Sequence, residues 1–330
     1  LPFFKIFGVH KPMIIGCKWV ALIKAAAFTI SLLVSSSVFA QLENPQWESK
    51  LNTDHELVGV VWDVANTSVI SMANLQTELG RGGYLLLGEK HDNPDHHTLQ
   101  ALVTMAILQS NQLSALSLEM MDSAIQSKLD LILDQDFVSL DDLKSYLDWD
   151  SDGWNWDFYS PLIQLAVNAS IPLYAGNIST ETMRSVYGAE QPSPLQKIVG
   201  PEVMDQLLSD IDASHCGLLP ESQFPPMVAV QQARDSAMAS SLGQTQPNRL
   251  SILIAGNYHV RQDLGVPNYL LASNSDLERD DIVSLAFMEV SEELTNAGDY
   301  VESTAGVSAY DYIWFTPAVS NEDYCASLRK

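Results

Sequence analysis

The chain has 330 residues, 17 basic against 41 acidic side chains, a formal charge of −24 and only seven histidines. Such an excess of scattered acid argues against nucleic acid or an anionic membrane surface as a partner. The length suffices for one large domain with a sizeable core.

Residues 13–40 read MIIGCKWVALIKAAAFTISLLVSSSVFA: two lysines, an apolar stretch too short for a comfortable span, then Val38-Phe39-Ala40. The pattern predicts a secretory signal peptide over residues 1–40, including an upstream extension, cleaved near Ala40. The alternative is an uncleaved anchor. Cys17 precedes the apolar stretch and is not placed as a lipoprotein acceptor. The first forty residues carry four of the basic residues and none of the acidic ones, so the mature chain is more acidic still. A periplasmic or secreted location follows, and the rest of the sequence has no stretch that reads as a stable membrane span.

Residues 41–55 are polar and read as a loose lead-in. The run LVGVVWDV (57–64) followed by SVIS (68–71) predicts a hairpin, and Ser71 can cap a short helix that stops at Gly80. Short apolar runs then recur at 84–88, 113–119, 171–176, 250–256, 282–287 and 312–315. Their length, apolar character and polar or Gly borders predict buried strands. Helical patterns at 94–109 and 227–242 lie between them. The expected fold is α/β: a mainly parallel central sheet flanked by helices, with a smaller, mostly helical lobe from insertions near 120–170 and 190–226.

Ligands of open parallel sheets sit beyond the carboxyl ends of the strands. The first such end carries Glu89 and His91, the second Glu119, the third Asn177 with Arg184 further on, the fourth Tyr258, His259 and Arg261. Two ends share the form Gly-x-x-His, GEKH and GNYH, so His91 and His259 are expected to meet over the sheet although 168 positions apart. Asn93-Pro94 reads as a helix start without chemistry. His96 aligns with Leu99 and Val103 and is expected as a hydrogen-bonded wall residue, and His97 as exposed. Helix 227–242 aligns Met227, Val230, Ala237 and Met238, with Arg234 near the middle of that stripe. A guanidinium there needs an anion, either Glu119 or a ligand carboxylate.

Other signals are weaker. Asp148 to Gly153 copies the start of a calcium loop, but Tyr159 stands where the loop needs a bidentate Glu. Trp149, Trp154, Trp156, Phe158 and Tyr159 form an aromatic cluster that serves either as core or as the wall of a flat ligand. The sequence contains no H-E-x-x-H, G-x-S-x-G or C-x-x-C-H. Cys216 and Cys325, an even pair in an exported chain, predict one disulfide, two unrelated buried thiols being the alternative.

Six segments in order, GEKHDNPDHH, SLEMMD, WDFYSPL with AGNIS, HCGLLP, QQARDSAMA and AGNYHVRQDLGVP, resemble the ChaN-like haem-binding proteins of the Tiki superfamily. The resemblance covers residues 56–317 and leaves 318–330 as a tail. It implies a role in haem or iron uptake at the bacterial envelope, non-covalent haem b as cofactor and partner, and room for a homodimer. It implies Tyr, His or Met on the iron, with Tyr258 the first candidate and Tyr159 and Tyr187 its rivals. His91, His259, Arg184, Arg234 and Asn177 would surround the cofactor, with His91, Arg184 and Arg234 toward the propionates. The superfamily also contains metal-dependent proteases and erythromycin esterase. The alternative it implies is therefore a hydrolase with a divalent metal on His91, Glu119 and His259, Glu119 also counting with Glu89 among the catalytic groups and Glu89 acting as general base.

Overall fold

The computed structural model describes residues 42, 45–81, 83–243 and 248–328. The predicted signal peptide lies outside the described residues. Ten strands are present among them: β1 (Val61–Asp63), β2 (Ser68–Val69), β3 (Gly83–Glu89), β4 (Leu113–Asp122), β5 (Leu173–Asn177), β6 (Leu250–Gly256), β7 (Ile282–Glu289), β8 (Ser303–Thr304), β9 (Val307–Ser308) and β10 (Tyr312–Thr316). The helices are α1 (Met72–Leu79), α2 (Pro94–Gln109), α3 (Gln126–Leu129), α4 (Leu140–Tyr146), α5 (Trp156–Asn168), α6 (Thr180–Tyr187), α7 (Pro201–Ser214), α8 (Phe224–Ser241), α9 (Val266–Ser273) and α10 (Tyr324–Leu328). None is long and apolar enough to cross a membrane.

The main sheet has eight strands in the order β2-β1-β10-β7-β3-β6-β4-β5. From β10 to β5 every neighbour is parallel, and β1 and β2 add an antiparallel edge. The predicted α/β class is therefore the observed one. Helices cover both faces, so the central strands are apolar on both sides. Leu85 and Leu87 enter one core with Leu99 and Val103 of α2 and Leu162 and Ile163 of α5. Leu86 enters the opposite core with Met238 of α8 and Tyr269 of α9. All three leucines are fully buried, each contributing roughly 1.5–3 kcal/mol.

Local signals explain the starts of the elements. Ser71 caps α1 by accepting from Asn74 N, and Asn93 caps α2 by accepting from Asp95 N and His96 N ahead of Pro94. The hairpin is shorter than the apolar run suggested, three residues against two, because Leu57 and Val58 pack as a loop against the second core. The segment before it forms one isolated bridge, Leu51 with Ala318, but it is not loose: Glu48 N and Ser49 N both donate to the buried Asp95 carboxylate. Residues 123–168 form a lobe of short helices beside the β4–β5 edge.

Two expectations about exposure need correction. His97 is 3 % exposed, stacked on Phe158 with ring centroids 4.3 Å apart, because the aromatic α5 lies over this turn of α2. The buried residues of α8 are Val228, Ala229, Gln232, Asp235, Met238 and Ala239: Met238 is among them as expected, but Met227, Val230, Arg234 and Ala237 are only half-buried, and the fully buried charged residue is an acid rather than the arginine.

Cys216 and Cys325 are joined by a disulfide, as the paired count predicted.

Candidate functional site

The chain leaves β3 toward β4 on one side and leaves β6 toward β7 on the other, so the reversal of strand order falls between β3 and β6. That is the switch point at which open sheets leave a crevice. Glu89 pairs in register with Gly256, which brings GEKH and GNYH side by side. The two histidines therefore converge.

Strand alternation decides where each carboxylate goes. Leu85 and Leu87 face the α2–α5 core, and Glu89 follows them onto that face. There its Oε1 accepts from Tyr159 Oη at 2.7 Å and meets His91 Nδ1 at 2.8 Å, while Oε2 lies 3.1 Å from His97 Nδ1. On β4, Leu116 and Leu118 face the same core, so Ser117 and Glu119 point the other way, toward α8. Glu119 Oε2 accepts from Gly256 N at 2.8 Å, and its Oε1 lies 3.4 Å from His259 Nε2. The other nitrogen of His259 meets Asp235 Oδ1 at 2.5 Å.

The electrostatics follow from this pairing. Burial alone would raise Glu89, but His97 and His91 hold it down to about 2. Glu119 is likewise pulled to about 2 against burial, by His259, His91 and the Gly256 N–H. Burial opposes a charge on His259, yet Glu119 and Asp235 together raise it to about 10. His259 is thus an imidazolium between two carboxylates. His91 is also raised, burial being outweighed by Glu89 and Glu119. Its ring is 42 % exposed and packs edge-on against Trp154 at 5.0 Å. Its Nε2 occupies the space a side chain at position 256 would need, 2.9 Å from an ideal Cβ there. His96 is the wall residue expected: Nδ1 accepts from Lys90 N, Nε2 meets Thr316 Oγ1, and burial pushes it down to about 3.

Two clefts flank this centre. One, of about 520 Å³, is lined by His91, His259, Asn257, Tyr258, Met288 and Glu289. The other, of about 380 Å³, is lined by Glu119, Met120, Trp149, Trp154, Asn177, Met183 and Arg234 among others. Arg234 makes no ion pair among the described residues, with Glu119 or otherwise, and its Nε is buried without a hydrogen-bond partner.

The remaining candidates are placed as follows. Arg184 is exposed on α6 and lines neither cleft. Asn177 Oδ1 accepts from Ile178 N. Arg261 pairs with Asp263 and Glu302 and lies over the Tyr258 ring, lining neither cleft. Tyr258 Oη donates to Asp210 Oδ2 at 2.7 Å, and burial and that carboxylate keep the phenol protonated. Tyr159 is 1 % exposed and committed to Glu89, whereas Tyr187 is exposed with its hydroxyl on Gln223. In the calcium-like stretch Asp148 pairs with Lys128, and Asp150 accepts from Asp152 N and Gly153 N. Asp235 is the functional residue the sequence did not disclose. Its one signal was an acid on the same helical face as Val228, Gln232 and Ala239.

A crevice at the switch point, lined by acid–imidazole pairs and flanked by aromatic and thioether walls, places the chain among α/β proteins with an open cleft at the strand ends. Residues 75–270 match the family model described as haem-binding uptake, Tiki superfamily, ChaN, and the chain belongs to that family. It is similar to a solved structure of ChaN from Campylobacter jejuni, reported with cofacial haem binding: 25 % identity, TM-score 0.62, over 77 % of this chain and 95 % of that one. A mutant of the erythromycin esterase EreC in its open conformation aligns over 77 % of this chain and 95 % of its own at 11 % identity and TM-score 0.42. No curated protein matches.

Proposed function

We propose that this protein binds non-covalent haem b in the crevice above β3 and β6, as an exported haem or iron uptake protein of the bacterial envelope. The observation that carries the proposal is His91: one imidazole nitrogen is fixed on a buried carboxylate, and the other is turned to a half-open cleft. A carboxylate behind a histidine orients the ring and raises the basicity of the free nitrogen, as a metal ligand requires. His91 would hold the iron, Trp154 and Met120 would wall the macrocycle, and the unpartnered Arg234 would take a propionate. Tyr258 could replace His91 only by giving up its bond to Asp210. Neither Cys216 nor Cys325 is free to form a thioether, because each is bonded to the other. Bound haem would supply a redox-active iron centre. Export is supported by the leader-like residues 13–40, and the family supports uptake.

The test is a hemin titration of the chain from Gln41. The expected result is a shifted Soret band saturating near one haem per chain, abolished in His91→Ala and weakened in Arg234→Ala. An unshifted spectrum would remove the proposal.

The divalent-metal alternative fits the side chains poorly. Both nitrogens of His259 are engaged with carboxylates, and among the described residues no three His, Cys, Asp or Glu are arranged to hold a metal ion. A hydrolase without metal keeps one favourable observation, the two acid–imidazole pairs, Glu89 with His91 and Asp235 with His259, on either side of Glu119. Chelator-resistant esterase activity lost in both His91→Ala and His259→Ala would support it.

A further inference from the structure

Tyr258 lines the crevice from the loop after β6, and α7, which lines neither cleft, props it from behind. Tyr258 Oη donates to Asp210 of that helix, and the other oxygen of Asp210 accepts from Gln206 Nε2 at 2.7 Å. Beyond the helix end, Cys216 turns in the left-handed region with φ +61° and bonds Cys325. The opposite wall is Glu289. Its Oε1 accepts from Lys90 Nζ at 3.2 Å, Asn93 Nδ2 at 2.9 Å and Val319 N at 3.0 Å. The C-terminal tail therefore starts on the Glu289 wall and is bonded, just past the end of α7, to the helix that props Tyr258. Val319 and Cys325 are six positions apart, a reach of at most roughly 20 Å. Between them, Ser320 to Asp323 are exposed, and the backbone N–H of Glu322 is taken up locally, by Ser320.

Helix α7 is otherwise held by a small cluster, apart from both main cores, with four buried members, Val203, Leu207, Val228 and Leu264, and Met204, Leu208 and Ile211 half-buried beside them. Glu202 adds one bond from Ala305 N. Elements with few buried apolar contacts open at low free energy, well before the whole fold does.

We infer that the Cys216–Cys325 disulfide is a redox latch on the crevice. Intact, it ties α7, whose Asp210 props Tyr258, to the tail that starts on the Glu289 wall. A dithiol reductant delivers two electrons and two protons to the S–S bond, leaves as its own disulfide, and frees the tail and α7 from one another. Tyr258 then loses its Asp210 prop, turns from the crevice, and bound ligand leaves faster. This rests on the haem reading for its ligand, but the latch itself rests on the disulfide and the Asp210–Tyr258 bond.

The experiment compares oxidised, dithiothreitol-treated and Cys325→Ser protein in two measurements. Amide hydrogen exchange should accelerate about tenfold in residues 201–216 on reduction or in Cys325→Ser, with β3 and β6 unchanged. Hemin dissociation, measured by transfer to a haem-scavenging apo-protein, should quicken by about the same factor. Equal exchange in α7 across all three samples would overturn the latch, as would acceleration spread over the whole sheet, which would make the bond a global staple. Failure of hemin to bind in any sample would sink the haem proposal alone, because the exchange of α7 still decides the latch.

Discussion

Asp235 Oδ1 lies 2.5 Å from Nδ1 of His259, 24 positions away in sequence, and both side chains are buried. The sandwich Asp235–His259–Glu119 makes the alkaline limb of stability predictable. The His259 value is raised from 6.5 to about 10, so its contribution is complete below 6.5 and disappears as pH rises through about 10. Asp235→Ala leaves the imidazolium with one partner and should cost about 3–5 kcal/mol at neutral pH. Asp235→Asn should cost less. In both, the His259 titration followed by NMR should move down from about 10. An unmoved midpoint would mean that Glu119 alone holds the proton.

The acid limb runs the other way. Glu89 and Glu119 are each lowered from 4.5 to about 2, so their contribution is complete above 4.5 and is lost as pH falls through about 2. Acid unfolding should set in steeply between those values. Glu119→Gln should be less stable at pH 7 but lose less on acidification, giving a flatter profile by urea denaturation. Parallel wild-type and variant curves would show that other carboxylates dominate.

Much of this was legible beforehand because local rules and tertiary packing agree. Helix α2 and strand β6 have the boundaries their apolar patterns gave, since a Pro at the first helical turn and a Gly at the strand end leave little latitude. The meeting of His91 and His259 follows from two like strand ends at the switch point. What stayed hidden depends on contacts across the fold. His97 read as surface because the covering α5 is about sixty residues away, and its stacking on Phe158 leaves no trace in spacing. On α8, Asp235 was missed because it is buried against its charge partner, which a hydrophobic pattern scores as polar.

Gly256 separates the site from the scaffold. A Cβ there would meet His91 Nε2 at 2.9 Å and Cε1 at 3.1 Å, atoms of a half-exposed ring that can move. Gly256→Ala should therefore barely change Tm but weaken hemin binding by roughly tenfold, since the ring loses its aim. At Gly265 the same Cβ would fall 2.1 Å from the carbonyl oxygen of His259, which is backbone and cannot yield. Gly265→Ala should lower Tm markedly. Equal losses of Tm in the two variants would mean that His91 is locked as firmly as the backbone.

His91 and His97 share the Glu89 carboxylate but differ in exposure, so their alanine variants should fail differently. His97 is 3 % exposed, its Nε2 bonded to the His91 carbonyl at 3.1 Å and its ring held between Phe158 and Tyr159. Removing it opens a void and leaves Glu89 less compensated, at about 3–5 kcal/mol. His91→Ala removes a ring already 42 % in solvent, and Tyr159 still satisfies Glu89, so about 1–2 kcal/mol is expected. Hemin binding should show the reverse ranking: abolished in His91→Ala, and retained in His97→Ala at temperatures where that variant is folded. Urea unfolding and hemin titration on the same preparations check both halves. Retained hemin affinity in folded His91→Ala would move the iron to another residue, with Tyr258 next in line.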